Sequence, residues 1–281
     1  NMLWYRPDDG TLPMYSSDLY HNFIQCPEDL IHLTSSFSGY SNFVIVNNLN
    51  MPENLSRTYY TYTLSTTADS STFASSESTE TYAPIDYMSE TAIYGGSITF
   101  SDAWTISSGT EATKESAPTI TFNNSFSDIP FVKQAHSNAQ IKFLKFDFNK
   151  PFTLTTNLTD LALIGEASYT SVVEGVTVEK FSVEATTFAP QYLGAIVAYS
   201  SDEGVITNCD VNNASIVVAN SSYSYSYVGG AVGYVTSSDL TNIKVIDSEI
   251  YQTASNASTN YVGGVVGQIA SPYSDTTGII A

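Results

Sequence analysis

The stretch YVGGAVGY at 227–234 returns as YVGGVVGQ at 261–268, and a looser copy, YLGAIVAY, occupies 192–199. Copies set at a nearly constant interval, about 34 residues, restrict the chain to a repeat architecture in which each copy packs on the next. Other positions keep the same period. ALIG (162–165), AIVA (195–198), GAVG (230–233) and GVVG (264–267) recur in step with it. VTVEKFSV (176–183), CDVNNASI (209–216) and IKVIDSEI (243–250) align so that Val176, Cys209 and Ile243 share one column and Val178, Val211 and Val245 another. IKFLKFDF (141–148), aligned so that Ile141 falls in the column of Val176 and Phe146 in that of Phe181, supplies a fourth copy.

Helical repeats of this period would carry apolar residues at i, i+3, i+4 and i+7 and be rich in Ala, Leu, Glu and Lys. These segments instead alternate and are rich in Val, Ile, Thr, Tyr and Phe, which is strand chemistry. The prediction is an all-β chain, a parallel β-solenoid with coils of about 33–35 residues stacked about 4.8 Å apart. The glycines of the repeat, Gly229, Gly230 and Gly233 with Gly263, Gly264 and Gly267, are then structural: they serve a corner, or a close approach of two walls, where a Cβ would not fit. A phosphate-cradling loop would precede a helix and occur once.

The residues GGAVG (229–233) and GGVVG (263–267), with the flanking segments ITNCDVNNASI and LTNIKVIDSEI, resemble the GLUG motif of repeat regions in large surface proteins. The resemblance spans about 140–281, with a fainter echo at 29–51. It implies a β-solenoid and a place in a surface protein. GLUG repeats also accompany some immunoglobulin-cleaving metallopeptidases. This chain has three histidines, His21, His32 and His136, and no H-E-x-x-H, so zinc proteolysis is not implied.

Three regions are expected: 1–63, an N-terminal capping region and first coil; 64–139, an irregular Ser/Thr-rich β insertion; and 140–281, the repeats. PEDLIHLTSS (27–36) predicts a short helix capping the first coil, with His32 packed rather than catalytic. Residues 64–90 read as a surface loop or irregular strand pair, a place for O-glycosylation. Cys26 and Cys209 allow one disulfide, but the column of Val176 and Ile243 makes Cys209 a small buried hydrophobe. TTGIIA at the end of the sequence begins another coil, which predicts that a continuation or a second chain covers that end.

The formal charge of −19 argues against a nucleic-acid partner. No apolar run reaches the length that a membrane span needs, so no membrane insertion is expected in this segment. A charged fraction of only 13% with abundant Ser, Thr, Asn and Tyr suits an extracellular or cell-surface protein. No convergent acid–base set is legible. Arg6 and Arg57 lie outside the repeats, Lys180 and Lys244 sit on strands, Asp8 and Asp9 read as a turn, and Glu174, Glu179 and Glu184 read as a solvated face. No enzyme activity, cofactor or metal is expected.

Tyr192, Tyr227 and Tyr261 share a column and predict a stacked ladder, while Tyr223 and Tyr225 are candidates for a face that binds sugars or a neighbouring subunit. Asn54, Asn123, Asn157, Asn213, Asn220 and Asn256 head N-x-[S/T] sequons, about as many as this composition produces by chance. Asn220 and Asn256 fall in corresponding polar loops and are the best placed; Asn213 is expected on a strand. The function expected is that of an extracellular structural solenoid in a surface or filamentous assembly. Its partners would be copies of itself, other surface proteins or glycans. A carbohydrate- or host-binding adhesin is the alternative, and a polysaccharide lyase or hydrolase a more distant one.

Overall fold

The computed structural model describes residues 4–5, 14–15, 21–31, 33, 37–66, 71–100, 106–219, 223, 225–253, 259–270 and 276–279. The chain winds as a parallel β-solenoid of about four turns with almost no helix. Each full coil visits five walls. The first stacks Val132–His136, Ile164–Ala167, Val197–Ser200, Val232–Val235 and Val266–Ile269; the second stacks Gln140–Lys142, Val172–Glu174, Val205–Thr207, Asp239–Thr241 and Thr276–Thr277. The third runs from Leu49–Met51 through Thr119–Phe122, Lys145–Phe148, Thr177–Glu179 and Asp210–Asn212 to Lys244–Ile246. Ser182–Ala185, Ser215–Val218 and Glu249–Gln252 form the fourth wall, and Asp160–Leu161, Tyr192–Leu193, Tyr225–Gly229 and Thr259–Gly263 the fifth.

Parallel stacking in register turns the sequence period into columns of like residues. Phe146, Val178, Val211 and Val245 pair in succession. The carbonyls of Leu144, Val176 and Cys209 accept the N–H groups of Thr177, Asp210 and Lys244 in the next coil, and Leu144, Val176, Cys209 and Ile243 are all fully buried. At roughly 1.5–3 kcal/mol per buried aliphatic side chain, such columns dominate the stability of the fold. Cys209 is thus a buried free thiol, as expected from its column, and Cys26 is also free, so no disulfide joins them.

Two features of the repeat differ from expectation. The segment 141–148 stacks in another register: Ile141 lies beside Val173 rather than Val176, and Phe146 beside Val178 rather than Phe181. Its phenylalanines satisfy the apolar template in either alignment, so pattern alone could not choose the register. The segment 176–183 is two strands rather than one, bent at Lys180, whose φ is +57°. Asn213 and Asp247 take the same left-handed conformation in the following coils. Asn213 therefore sits on an exposed corner, not on a strand.

The parallel stacks begin well before residue 140. Met88–Phe100 pairs with Phe37–Ile45 on one side and with both Ala135–His136 and Gln140–Lys142 on the other, so walls one and two are continuous at this end. The helix Pro27–Ile31 is shorter than 27–36, and His32 lies outside the described residues. Asp29 Oδ2 accepts the backbone N–H groups of Gln25 and Cys26, and Leu30 and Ile31 are buried in the core at the Leu49–Met51 end. The range 64–90 holds the second strand of a long antiparallel hairpin, Ser56–Thr66 against Ser71–Thr81, which begins before residue 64 and forms a two-stranded sheet of its own.

Candidate functional site

The Y-V-G-G-x-V-G-Y motif is the corner where wall five turns into wall one. Its glycines do not have positive φ; among the described glycines that conformation occurs at Gly175 and Gly278. They are required by close approach. A Cβ on Gly229 would overlap the Val232 carbonyl oxygen and lie 2.7 Å from the Gly267 nitrogen, and one on Gly233 would lie 2.6 Å from the Ala198 carbonyl oxygen. This tight reversal brings the two ends of the motif together, and those ends are tyrosines. Tyr227 and Tyr234 have ring centroids 4.8 Å apart, and Tyr192 and Tyr199 in the previous coil 5.4 Å.

Stacking then multiplies each pair along the axis. Tyr192, Tyr227 and Tyr261 form the expected ladder, with spacings of 5.2 and 5.1 Å and interplanar angles of 12° and 5°. Tyr199 and Tyr234 form a second ladder, 5.6 Å apart at 4°. Tyr225, half-exposed, leans on Tyr227 at 6.5 Å. Tyr223 is half-buried just outside this strand. Because the rings face one another along the axis, their outer surface is a strip of ring edges and hydroxyls rather than of ring faces.

One coil before Tyr192 and Tyr199, the same two columns hold Asp160 and Glu166. The aromatic strip therefore starts from a pair of carboxylates. Burial, then the charges of Glu166 and Asp128, push the Asp160 carboxyl up to about 7. Burial and the neighbouring phenols push Tyr192 up to about 12. Glu166 accepts the Ser168 hydroxyl at 3.0 Å. His136 Nε2 comes within 3.2 Å of Glu166 Oε1 without a hydrogen bond to it. The His136 ring packs between Tyr87 and Tyr169. This site was only partly visible in the sequence: the tyrosine column was legible, the pairing across the corner and the carboxylate foot were not.

The other candidates are dispersed. Glu174 lies 3.7 Å from Lys142 on wall two, Glu179 accepts the Asn212 amide at 2.7 Å on wall three, and Glu184 is exposed on wall four. Asp8, Asp9, Asn220 and Asn256 lie outside the described residues. Asn54 and Asn157 are exposed. The Asn123 amide is committed to a ladder, donating to Asn50 Oδ1 and the Met51 carbonyl while its Oδ1 accepts from Asn149. An open cleft of about 520 Å³ follows the corner between walls one and two, over the left-handed turns at Asn138, Thr170 and Glu203. No group of three or more His, Cys, Asp or Glu suited to a metal occurs among the described residues.

No known protein family matches the chain, and searches of curated proteins and of solved structures find no match.

Proposed function

We propose that the chain is a structural β-solenoid segment of an extracellular surface assembly, extended by further coil stacked on its last described turn. The observation that carries this reading is the loss of cover along the core columns. Val228 and Val235 are fully buried, yet their partners in the next coil, Val262 and Ile269, are 46% and 41% exposed. These side chains continue the columns of Val228 and Val235, and among the described residues no complete coil lies over them. Thr276–Thr277 begins such a coil against Leu240–Thr241. At the other end, the Pro27–Ile31 helix sits over the core, so growth by stacking is a property of one end. The sparse charge and the GLUG resemblance support a place outside the cell. A host-binding role is a second reading, favoured by the six tyrosines gathered at one corner.

Sedimentation tests the proposal. The chain should associate with rising concentration, and Val262→Lys combined with Ile269→Lys should keep it monomeric without unfolding it, since both positions are open. A wild-type chain that stays a monodisperse monomer at high concentration would overturn the assembly role.

A further inference from the structure

We propose that the tyrosine corner is a docking strip for an extended lysine- or arginine-bearing segment of a partner protein, one cationic head resting between Asp160 and Glu166 and the neighbouring chain lying along Tyr192, Tyr199 and Tyr227. Asp160 is largely removed from water beside Glu166 and Asp128, and no ion pair to it is made among the described residues. On the strand paired with that of Glu166, Lys133 holds Asp86 at 2.8 Å, and His136 Nε2 stands 3.2 Å from Glu166 Oε1, on the Glu166 side of the pair and not on Asp160. Lys114, Lys142, Lys150 and Lys180 are likewise paired with Asp210, Glu174, Glu53 and Asp147 on other parts of the surface. An uncompensated carboxylate in such a place either takes up a proton or awaits a positive charge. A partner's ammonium or guanidinium supplies that charge.

Geometry then selects the kind of ligand. The strip is two residues wide and extends from the Asp160–Glu166 pair through three further coils to Tyr261 and Gln268. At about 4.8 Å per coil it is about 14 Å long, the reach of roughly four extended residues. It is an open surface, which suits a chain better than an enclosed small molecule. Stacking has used the faces between neighbouring rings, so along the sides of the two ladders a sugar ring meets edges rather than an aromatic plane. Ring edges and hydroxyls instead offer a lining for alkyl stems and acceptors for backbone N–H groups. The overall charge of −19 draws a basic segment towards the surface, and the carboxylate foot sets where it stops.

Calorimetric titration of the chain with a tetralysine peptide tests this, using the fully acetylated peptide and a neutral glucose hexasaccharide for comparison. Tetralysine should bind, and acetylation should weaken it at least tenfold. Asp160→Asn with Glu166→Gln should also weaken it at least tenfold. Glu184→Gln with Glu249→Gln removes the same formal charge from exposed positions on wall four and should change affinity less than twofold. Equal loss in the two double variants would show attraction by the general field alone and overturn the site. So would no binding of tetralysine, or binding of the hexasaccharide in its place. Circular dichroism of the variants confirms that each comparison is made between folded proteins, and Asp160→Asn alone, which relieves a buried charge, provides a variant that retains the fold.

Discussion

At the scale of single residues, Asp160 shows how a repeat can place a group against its own preference. The column it occupies is filled by tyrosine in the three coils that follow, and it inherits their half-buried position. Its carboxyl, ordinarily ionised far below neutrality, is raised to about 7, first by burial and then by Glu166 and Asp128. The folded chain thus holds this proton more tightly than the unfolded chain does. The stability tied to it is complete below about pH 4, declines as pH rises towards 7, and is gone above that. Thermal melts should therefore show stability falling between about pH 4 and 7, and Asp160→Asn should flatten that slope and gain on the order of 2–4 kcal/mol at pH 8. An unchanged slope in the variant would show that another group titrates. Cys209 is the opposite case, since burial pushes its thiol up to about 12 and its Sγ lies 3.1 Å from the Thr207 carbonyl oxygen, so it stays a neutral part of the core.

At the scale of the element, the glycine corner divides what the sequence could say from what it could not. The recurrence of the motif announced a structural role, because a site for one ligand has no reason to return in every coil. It did not say whether torsion or space was the cause, and the structure assigns space. A Cβ on Gly230 would run into the Gly264 carbonyl oxygen of the next coil, whereas Gly264 itself is exposed. Gly230→Val should accordingly cost several kcal/mol, on the order of 3 or more, while Gly264→Val should cost less than about 1, although sequence treats the two as equivalent. Denaturant midpoints of the two variants decide it, and equal losses would refute the close-approach account. The columns through Val178 and Val197 were legible because parallel register forces like onto like. The register of 141–148 was not, because phenylalanine fits the template twice. The tyrosine pairs were hidden for another reason: Tyr227 and Tyr234 are seven positions apart, and only the folded corner makes them neighbours. Asp160 and Glu166 were hidden because they replace the tyrosines that would have marked them.

At the scale of the whole molecule, a solenoid gains its stability from contacts between successive coils, so the two ends need not be equally firm. The Pro27–Ile31 end is covered by a helix whose Leu30 and Ile31 are buried, whereas in the last full coil Val262 and Ile269 stand open and Ile250 and Val266 are only partly buried. Among the described residues, the strands Glu249–Gln252, Thr259–Gly263 and Val266–Ile269 each pair with one neighbour in their own stack, while Asp210–Asn212 is held between Thr177–Glu179 and Lys244–Ile246. Opening the last coil breaks one interface, but opening the middle breaks two, so unfolding should start at 244–269 and move towards the helix. Amide hydrogen exchange on the isolated chain should show this directly. Amides that link the last coil to its neighbour, such as Glu249 to Ala214, Thr253 to Val218 and Ala270 to Val235, should exchange at least about 100-fold faster than those linking Asp210 to Val176 or Val205 to Ser171. At concentrations where the chain associates through that end, the difference should shrink, because the stacked partner supplies the missing second interface. A gradient that persists unchanged on association would place the contact elsewhere on the surface, and uniform protection of the isolated chain would mean that its last coil is not an open edge.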